Sequence, residues 1–114
     1  MLRRLYSCAV EQIAVSAITV AELQHGAAKS QQPERNRQAL MEFLLPFSLL
    51  DFDCAAAAAY GVIRADLEVR GAPIGPMDRL LAAQAISRDL VLVTNNTREF
   101  ARVPGLRTAN WVDA

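Results

Sequence analysis

With 114 residues, the chain is long enough for one domain with a hydrophobic core and too short for two. Hydrophobic residues make up 53% of it, which excludes a disordered chain, and its 12 basic and 12 acidic residues cancel, so no global charge attracts nucleic acid or a membrane. Two cysteines are too few for a disulfide framework, and no apolar run reaches membrane-spanning length. We therefore expect a cytoplasmic domain without a signal peptide, in which both cysteines are buried thiols.

Helices and strands alternate in the first half of the chain. The predicted elements are a helix over residues 1–10, a strand over 12–16, a helix over 19–30, a helix from 33 to 45 and a strand over 47–52. Thr19 and Glu22 form the capping-box pattern that typically opens a helix. Pro46 ends the helix that begins at Pro33.

The second half continues the alternation. The predicted elements are a helix after Asp53, a loop over 70–76, a helix over 76–88, a strand over 90–94, a short helix after 96 and an edge strand over 106–109. The helix from Pro76 is apolar almost all round, so we expect it to be buried on most faces. The continuous apolar run over 90–94 is typical of a parallel strand that is covered on both faces. Alternating helices and strands predict an α/β fold with a parallel sheet.

Three acids lie where predicted helices begin. Glu22 and Glu99 each follow an apparent strand, and Asp78 lies in the first turn of the helix from Pro76. Ligands of open parallel sheets bind beyond the carboxyl ends of the strands, and carboxylates that converge there repel one another unless a cation lies between them. Oxygen ligands without His or Cys favour Mg²⁺ or Mn²⁺, which can promote hydrolysis of a phosphodiester.

A structural role would explain each acid equally well when it is taken singly. Glu22 completes a capping box with Thr19, and Asn96 with Glu99 nearly repeats that pattern. Asp78 is an ordinary first-turn acid that complements the helix dipole. The spacing alone therefore leaves helix capping and metal binding both open.

Several motifs occur together in one order along the chain. They are Ser16–Leu23 with Gly26 and Pro33–Asn36, then Pro73–Asp78, then Leu92–Phe100 followed by Val103–Leu106. Together they resemble the VapC-type toxins, which are PIN-domain ribonucleases, and in particular the group that cuts initiator tRNA. The resemblance covers essentially the whole chain. It implies one PIN domain over residues 1–114, with a PIN-like three-layer α/β/α fold and a mostly parallel sheet.

The resemblance also implies a set of site residues. In that family a Mg²⁺-binding acidic cluster hydrolyses RNA, and two of its acids correspond to Glu22 and Asp78. A further position falls between Thr94 and Glu99: many relatives have Asp at the place of Asn96, and others use an acid at the place of Glu99. Both residues remain candidates for this position, and Thr94 could orient a water molecule or a ligand there.

One part of the family pattern is missing. The family begins with an apolar strand that ends in Asp-Thr-Asn and supplies a principal metal ligand, whereas this chain starts within the family's first helix. That strand lies in the middle of the sheet, beside the strand that resembles Leu90–Thr94. We expect its absence to leave backbone groups unpaired, at roughly 1–3 kcal/mol for each buried group. A start placed too late, a decayed remnant, and a shortened domain that borrows a strand from a partner would each explain the pattern.

The resemblance leads to two hypotheses about function. The first is a Mg²⁺-dependent endoribonuclease toxin of a type II toxin–antitoxin system, a homodimer without membrane association that cleaves RNA, in particular tRNA, and is neutralised by a VapB-type antitoxin. The alternative is a catalytically inactive PIN-like protein that binds or titrates the antitoxin, because one metal-binding Asp is absent. Arg79, Arg98 and Arg102 lie near the acids in sequence and are candidates for contact with RNA phosphates.

Overall fold

A computed structural model of the chain describes residues 13–110, which divide into two compact units. The described part of the first unit comprises residues 13–51, and that of the second comprises residues 52–110. The first contains β1 (Ala14–Ser16), α1 (Ala17–Ala28), α2 (Pro33–Leu44) and β2 (Ser48–Leu50). The second contains α3 (Cys54–Arg70), α4 (Pro76–Ser87), β3 (Val91–Val93), α5 (Thr97–Phe100) and β4 (Arg107–Ala109). The helix predicted over residues 1–10, with Cys8, lies outside the described residues.

Each unit holds one parallel pair of strands among residues 13–110. In the first unit β1 pairs with β2, with Ala14 opposite Ser48. In the second unit β3 pairs with β4, with Val91 opposite Arg107. All four strands fall within predicted strands, and both pairs are parallel, as the alternating pattern predicts. Val91 is nevertheless 46% exposed, so β3 is not covered on both faces within the described part of the chain.

The start of α1 differs from the prediction. The helix begins at Ala17, and its N-cap is Ser16, whose hydroxyl accepts a hydrogen bond from the backbone N–H of Ile18 at 3.0 Å. Ser16 ends β1 with extended backbone angles (φ −68°, ψ 140°), which is the conformation that a cap requires. Thr19 is already inside the helix, so the predicted capping box of Thr19 and Glu22 does not form.

The other helix boundaries follow local signals closely. Asp53 is the N-cap of α3 and accepts a hydrogen bond from the N–H of Ala56 at 2.9 Å. Gly71 ends the same helix in a left-handed conformation (φ 64°), which a residue without a Cβ adopts at low cost. α2 ends at Leu44, two residues before Pro46, as predicted.

We expect the substitution Asp53→Ala to lower the free energy of unfolding by about 1 kcal/mol, because the N–H of Ala56 then loses its capping partner. The ion pair of Asp53 with Arg88, at 3.4 Å, is exposed and contributes little. Urea unfolding of the full chain measures the change. Arg88→Gln is the control, because it removes the ion pair and keeps the cap. An equal loss in both variants would contradict the assignment of the effect to the cap.

The core of the second unit fixes the start of α4. Pro76 is its first residue, and Gly75 is its N-cap. The side chains of residues 82–85 are buried, which confirms the expectation for the body of this helix. Around them lie the buried side chains of Ile63, Leu67, Ile74, Phe100 and Val103. This core holds the loop of residues 71–75 between α3 and α4.

Two further expectations concerned the cysteines, expected to be buried thiols, and the absence of an apolar run of membrane-spanning length. The thiol of Cys54 is free and exposed, because the residue opens α3 directly after its cap, so the prediction of a buried thiol is wrong for this cysteine. Among residues 13–110, no helix is both long and apolar enough to cross a membrane.

Candidate active site

Two carboxylates converge at the N-terminus of α4. A methyl group on the Cα of Gly75 would lie 3.6 Å from Oδ2 of Asp78 and 3.9 Å from Oε1 of Glu99. Asp78 is in the first turn of α4, and Glu99 is in the first turn of α5. Two of the acids singled out in the sequence therefore face one small space above Gly75.

Glu99 is held in place by two hydrogen bonds. Its Oε1 accepts from the backbone N–H of Gly75 at 2.7 Å, and its Oε2 accepts from the side-chain amide of Asn96 at 2.8 Å. The bond from Gly75 lowers the pKa of the Glu99 carboxyl most, the bond from Asn96 lowers it further, and partial burial opposes both. Arg102 and Asp78 make smaller contributions that also lower this pKa. Glu99 is therefore ionised at neutral pH and oriented toward the start of α4.

Asn96 hydrogen-bonds to Glu99, and Thr94 hydrogen-bonds to Asn96. Neither residue has a carboxylate. Asn96 is the N-cap residue of α5, but its side chain makes no capping bond to the helix and is turned to Glu99 instead. Its backbone N–H donates to the hydroxyl of Thr94 at 3.0 Å. In place of the near capping box that the sequence suggested for Asn96 and Glu99, these residues make a hydrogen bond between their side chains. Both candidates left open by the sequence lie at this place: Glu99 shares the space above Gly75 with Asp78, and Asn96 hydrogen-bonds to Glu99.

Arginines brace the loop that carries Gly75. Arg102 donates to the carbonyl oxygen of Pro73, and Arg70 donates to the carbonyl oxygen of Arg102. Arg79 donates to the carbonyl oxygen of Ile74 at 3.4 Å. Arg102, a candidate for RNA contact in the sequence, therefore has a structural role as well. Sequence reasoning missed this brace because 29 residues separate Arg102 from Pro73 and no local pattern marks the contact.

Glu22 belongs to the first unit, on the second turn of α1, and its side chain is exposed. No acid lies in the first turn of α1, so capping no longer explains the presence of Glu22. In residues 52–110, no third His, Cys, Asp or Glu joins Asp78 and Glu99 to complete a group that could hold a metal ion. The described part of the second unit thus brings together a pair of carboxylates.

The donor set at Gly75 fits a hard divalent cation. Two neighbouring carboxylates repel each other when both are ionised, and a cation between them relieves that repulsion. Asp78 and Glu99 offer only oxygen atoms, which Mg²⁺ and Mn²⁺ prefer. The N-terminus of α4 is the positive end of the helix dipole, which stabilises the carboxylates before any cation binds.

Comparison with known proteins identifies the family. The sequence model of the PIN domain matches residues 2–106. The tRNA(fMet)-specific endonuclease VapC of Shigella flexneri is 50% identical over 100 residues, which are 88% of this chain and 76% of that protein. Ribonuclease VapC2 of Haemophilus influenzae (strain ATCC 51907 / DSM 11121 / KW20 / Rd) is 50% identical over 101 residues, 89% of this chain and 76% of that protein.

Solved structures agree with the sequence matches. The crystal structure of DNA-bound VapBC from Salmonella typhimurium has a chain with a TM-score of 0.83 at 48% identity, covering 86% of this chain and 74% of that one. The structure of VapBC-1 from nontypeable Haemophilus influenzae has a chain with a TM-score of 0.89 at 31% identity, and the match covers 96% of this chain and 83% of that one. The chain belongs to the PIN-domain family, and its similar relatives are VapC proteins. The α/β PIN fold expected from the sequence is confirmed.

Proposed function

We propose that this chain is a Mg²⁺-dependent endoribonuclease toxin of a type II toxin–antitoxin system. The convergence of Asp78 and Glu99 above Gly75 carries the proposal, because it provides oxygen ligands for a cation at the start of α4. Identity of 50% to a tRNA(fMet)-specific endonuclease supports RNA, and specifically tRNA, as the substrate. A tRNA substrate implies action in the cytoplasm. The proposed active unit is a single PIN domain over residues 1–114.

In this proposal Asp78 and Glu99 hold Mg²⁺, for which Mn²⁺ can substitute, and Asn96 keeps Glu99 turned toward the site. When bound there, such a cation would supply charge stabilisation for a phosphodiester undergoing in-line displacement and would make water a better nucleophile. Glu22 is proposed as a further metal ligand from the sequence resemblance alone. Its exposure and its freedom from a capping role are compatible with that assignment.

The proposed partners are a VapB-type antitoxin and a second copy of the chain. The similar structures from Salmonella typhimurium and Haemophilus influenzae are described as VapBC. We infer that this chain also binds a VapB-type antitoxin, because it is 48% and 31% identical to chains of these two structures. The homodimer rests on the sequence resemblance.

A second candidate function is a catalytically inactive PIN-like protein that binds or titrates the antitoxin. One observation favours it: among residues 52–110, Asp78 and Glu99 have no third acid, His or Cys beside them. Two ligands bind Mg²⁺ more weakly than a full set, because the ion then keeps more of its water. Cleavage activity separates this candidate from the nuclease.

We expect the purified chain to cut end-labelled tRNA in the presence of Mg²⁺ or Mn²⁺ and to leave it intact in EDTA, because the carboxylate pair cannot stabilise a phosphodiester transition state without a cation. Gel analysis of the labelled products measures the effect. A second version, with an apolar segment ending in Asp-Thr-Asn added before Met1, is assayed beside it. If neither version cuts while a VapB-type antitoxin still binds, the inactive binding protein is correct and the nuclease proposal is wrong.

A further inference from the structure

A surface cavity of about 410 Å³ lies next to the loop of residues 71–75 in the second unit. Two arginines line it, Arg64 from α3 and Arg79 from α4, together with the single acid Glu68. Leu67 and Ile74 are among its apolar lining residues. We call this space the arginine cavity. Its charged lining carries one more positive than negative group, although the whole chain is neutral.

Arg79 has hydrogen-bonding capacity that the protein does not use. Its Nη1 reaches the carbonyl oxygen of Ile74 only at a long 3.4 Å, and its Nε is buried and has no hydrogen-bond partner in the part of the chain that the structure describes. A buried donor without an acceptor is unfavourable, and the great majority of buried polar groups in proteins have a hydrogen-bond partner. A ligand with an acceptor oxygen would therefore gain from reorienting this guanidinium.

Arg64 places a second guanidinium at the same cavity. It donates to the hydroxyl of Tyr60 at 3.2 Å and to a carboxylate oxygen of Glu68 at 3.3 Å. The hydrogen bond from Arg64 lowers the pKa of the Tyr60 hydroxyl most, and Arg79 lowers it further. Both guanidinium groups thus act on one hydroxyl, and Glu68 is the single acid among the described residues that line the cavity with them.

We propose that the arginine cavity binds a phosphate group of the RNA strand, beside the position where Asp78 and Glu99 act. This inference rests on the proposed function. Arg79 directly follows Asp78, and Ile74 directly precedes Gly75, and the Cα atoms of neighbouring residues are only about 3.8 Å apart. The cavity and the carboxylate pair therefore both lie at the start of α4, where a bound RNA strand can contact both.

The chemistry of the cavity matches a nucleotide. Guanidinium groups bind phosphate oxygens through paired, charge-assisted hydrogen bonds. The apolar side chains of Leu67 and Ile74 offer contact to a ribose or a base. A carboxylate of an acidic peptide would meet the same guanidinium groups, but the nearness of the cavity to the carboxylate pair favours RNA.

The test measures RNA binding without cleavage. A short fluorescein-labelled single-stranded RNA is titrated with the full chain in EDTA, and anisotropy gives Kd over a series of salt concentrations. We expect Arg79→Gln and Arg64→Gln each to weaken binding roughly tenfold, because each removes a charge-assisted contact. Each variant also reduces the slope of log K against log salt by about 0.7, the value for one phosphate contact on a single strand.

Arg88→Gln is the matched control, because Arg88 lies at the other end of α4, is exposed and pairs with Asp53. It removes the same charge and leaves Kd and the salt slope unchanged. Far-UV circular dichroism checks the fold. Arg64, whose side chain is 49% exposed, provides a second variant should Arg79→Gln be unstable.

The binding result separates this inference from the nuclease proposal. RNA binding that depends on Arg79 and Arg64 supports the cavity even if Mg²⁺ produces no cleavage. Cleavage by the parent chain together with unchanged binding in both variants overturns the cavity and leaves the nuclease intact. Absence of RNA binding also overturns it, as does arginine-dependent binding of a labelled acidic peptide in place of RNA.

Discussion

The substitution Asp78→Asn is expected to lower Mg²⁺-dependent cleavage of tRNA at least about 100-fold, which is a loss typical of a disturbed metal site. Asparagine keeps the size of the side chain and its position in the first turn of α4, so the fold should persist. The change removes one of the two carboxyl groups that face the space above Gly75. Initial cleavage rates of labelled tRNA at several Mg²⁺ concentrations measure the effect, and part of the activity should return at high Mg²⁺.

Asp66→Asn is the matched control for this prediction. Asp66 lies on α3 in the same unit and pairs with Arg70 at 2.7 Å, with both side chains 41% exposed. An exposed pair of this kind contributes at most about 1 kcal/mol to stability, so the control should cut tRNA at the parent rate. If Asp78→Asn cuts as fast as Asp66→Asn, Asp78 does not hold the cation.

The substitution Glu99→Ala is expected to abolish cleavage and also to destabilise the protein, by about 1–3 kcal/mol. The destabilisation arises because the partly buried N–H of Gly75 and the amide of Asn96 both lose their acceptor. Urea unfolding measures the stability, and the tRNA assay at a temperature well below unfolding measures the activity. Two readouts are needed because Glu99 both anchors the loop before α4 and is a proposed ligand.

Two variants separate these roles of Glu99. Asn96→Ala removes only the second hydrogen bond, so it should cost less stability and leave part of the activity. Glu42→Ala is a surface control on α2, where Glu42 accepts only from the exposed amide of Gln38. A Glu99→Ala chain that is destabilised but still cuts tRNA at the parent rate would make Glu99 a structural anchor and not a metal ligand.

The helix boundaries show which structural features can be predicted from the local sequence. Pro76 at the start of α4, Asp53 at the cap of α3 and the end of α2 before Pro46 were all predictable, because each depends on backbone groups within about four residues. The cap of α1 was predicted at Thr19 and lies at Ser16. Both residues carry a hydroxyl, and only the point where β1 ends decides which one has the extended backbone of a cap.

The candidate site likewise has some features that the sequence predicts and others that only the tertiary structure shows. Spacing and residue type placed Asp78 and Glu99 in the first turns of two predicted helices. The resemblance to the family, and not the spacing, made Glu99 and Asn96 alternatives for one site position. Only the tertiary structure brings Glu99 to the N–H of Gly75, across 24 residues. Contacts over such separations depend on how the core packs α4 against its neighbours, and local propensity carries no information about that packing.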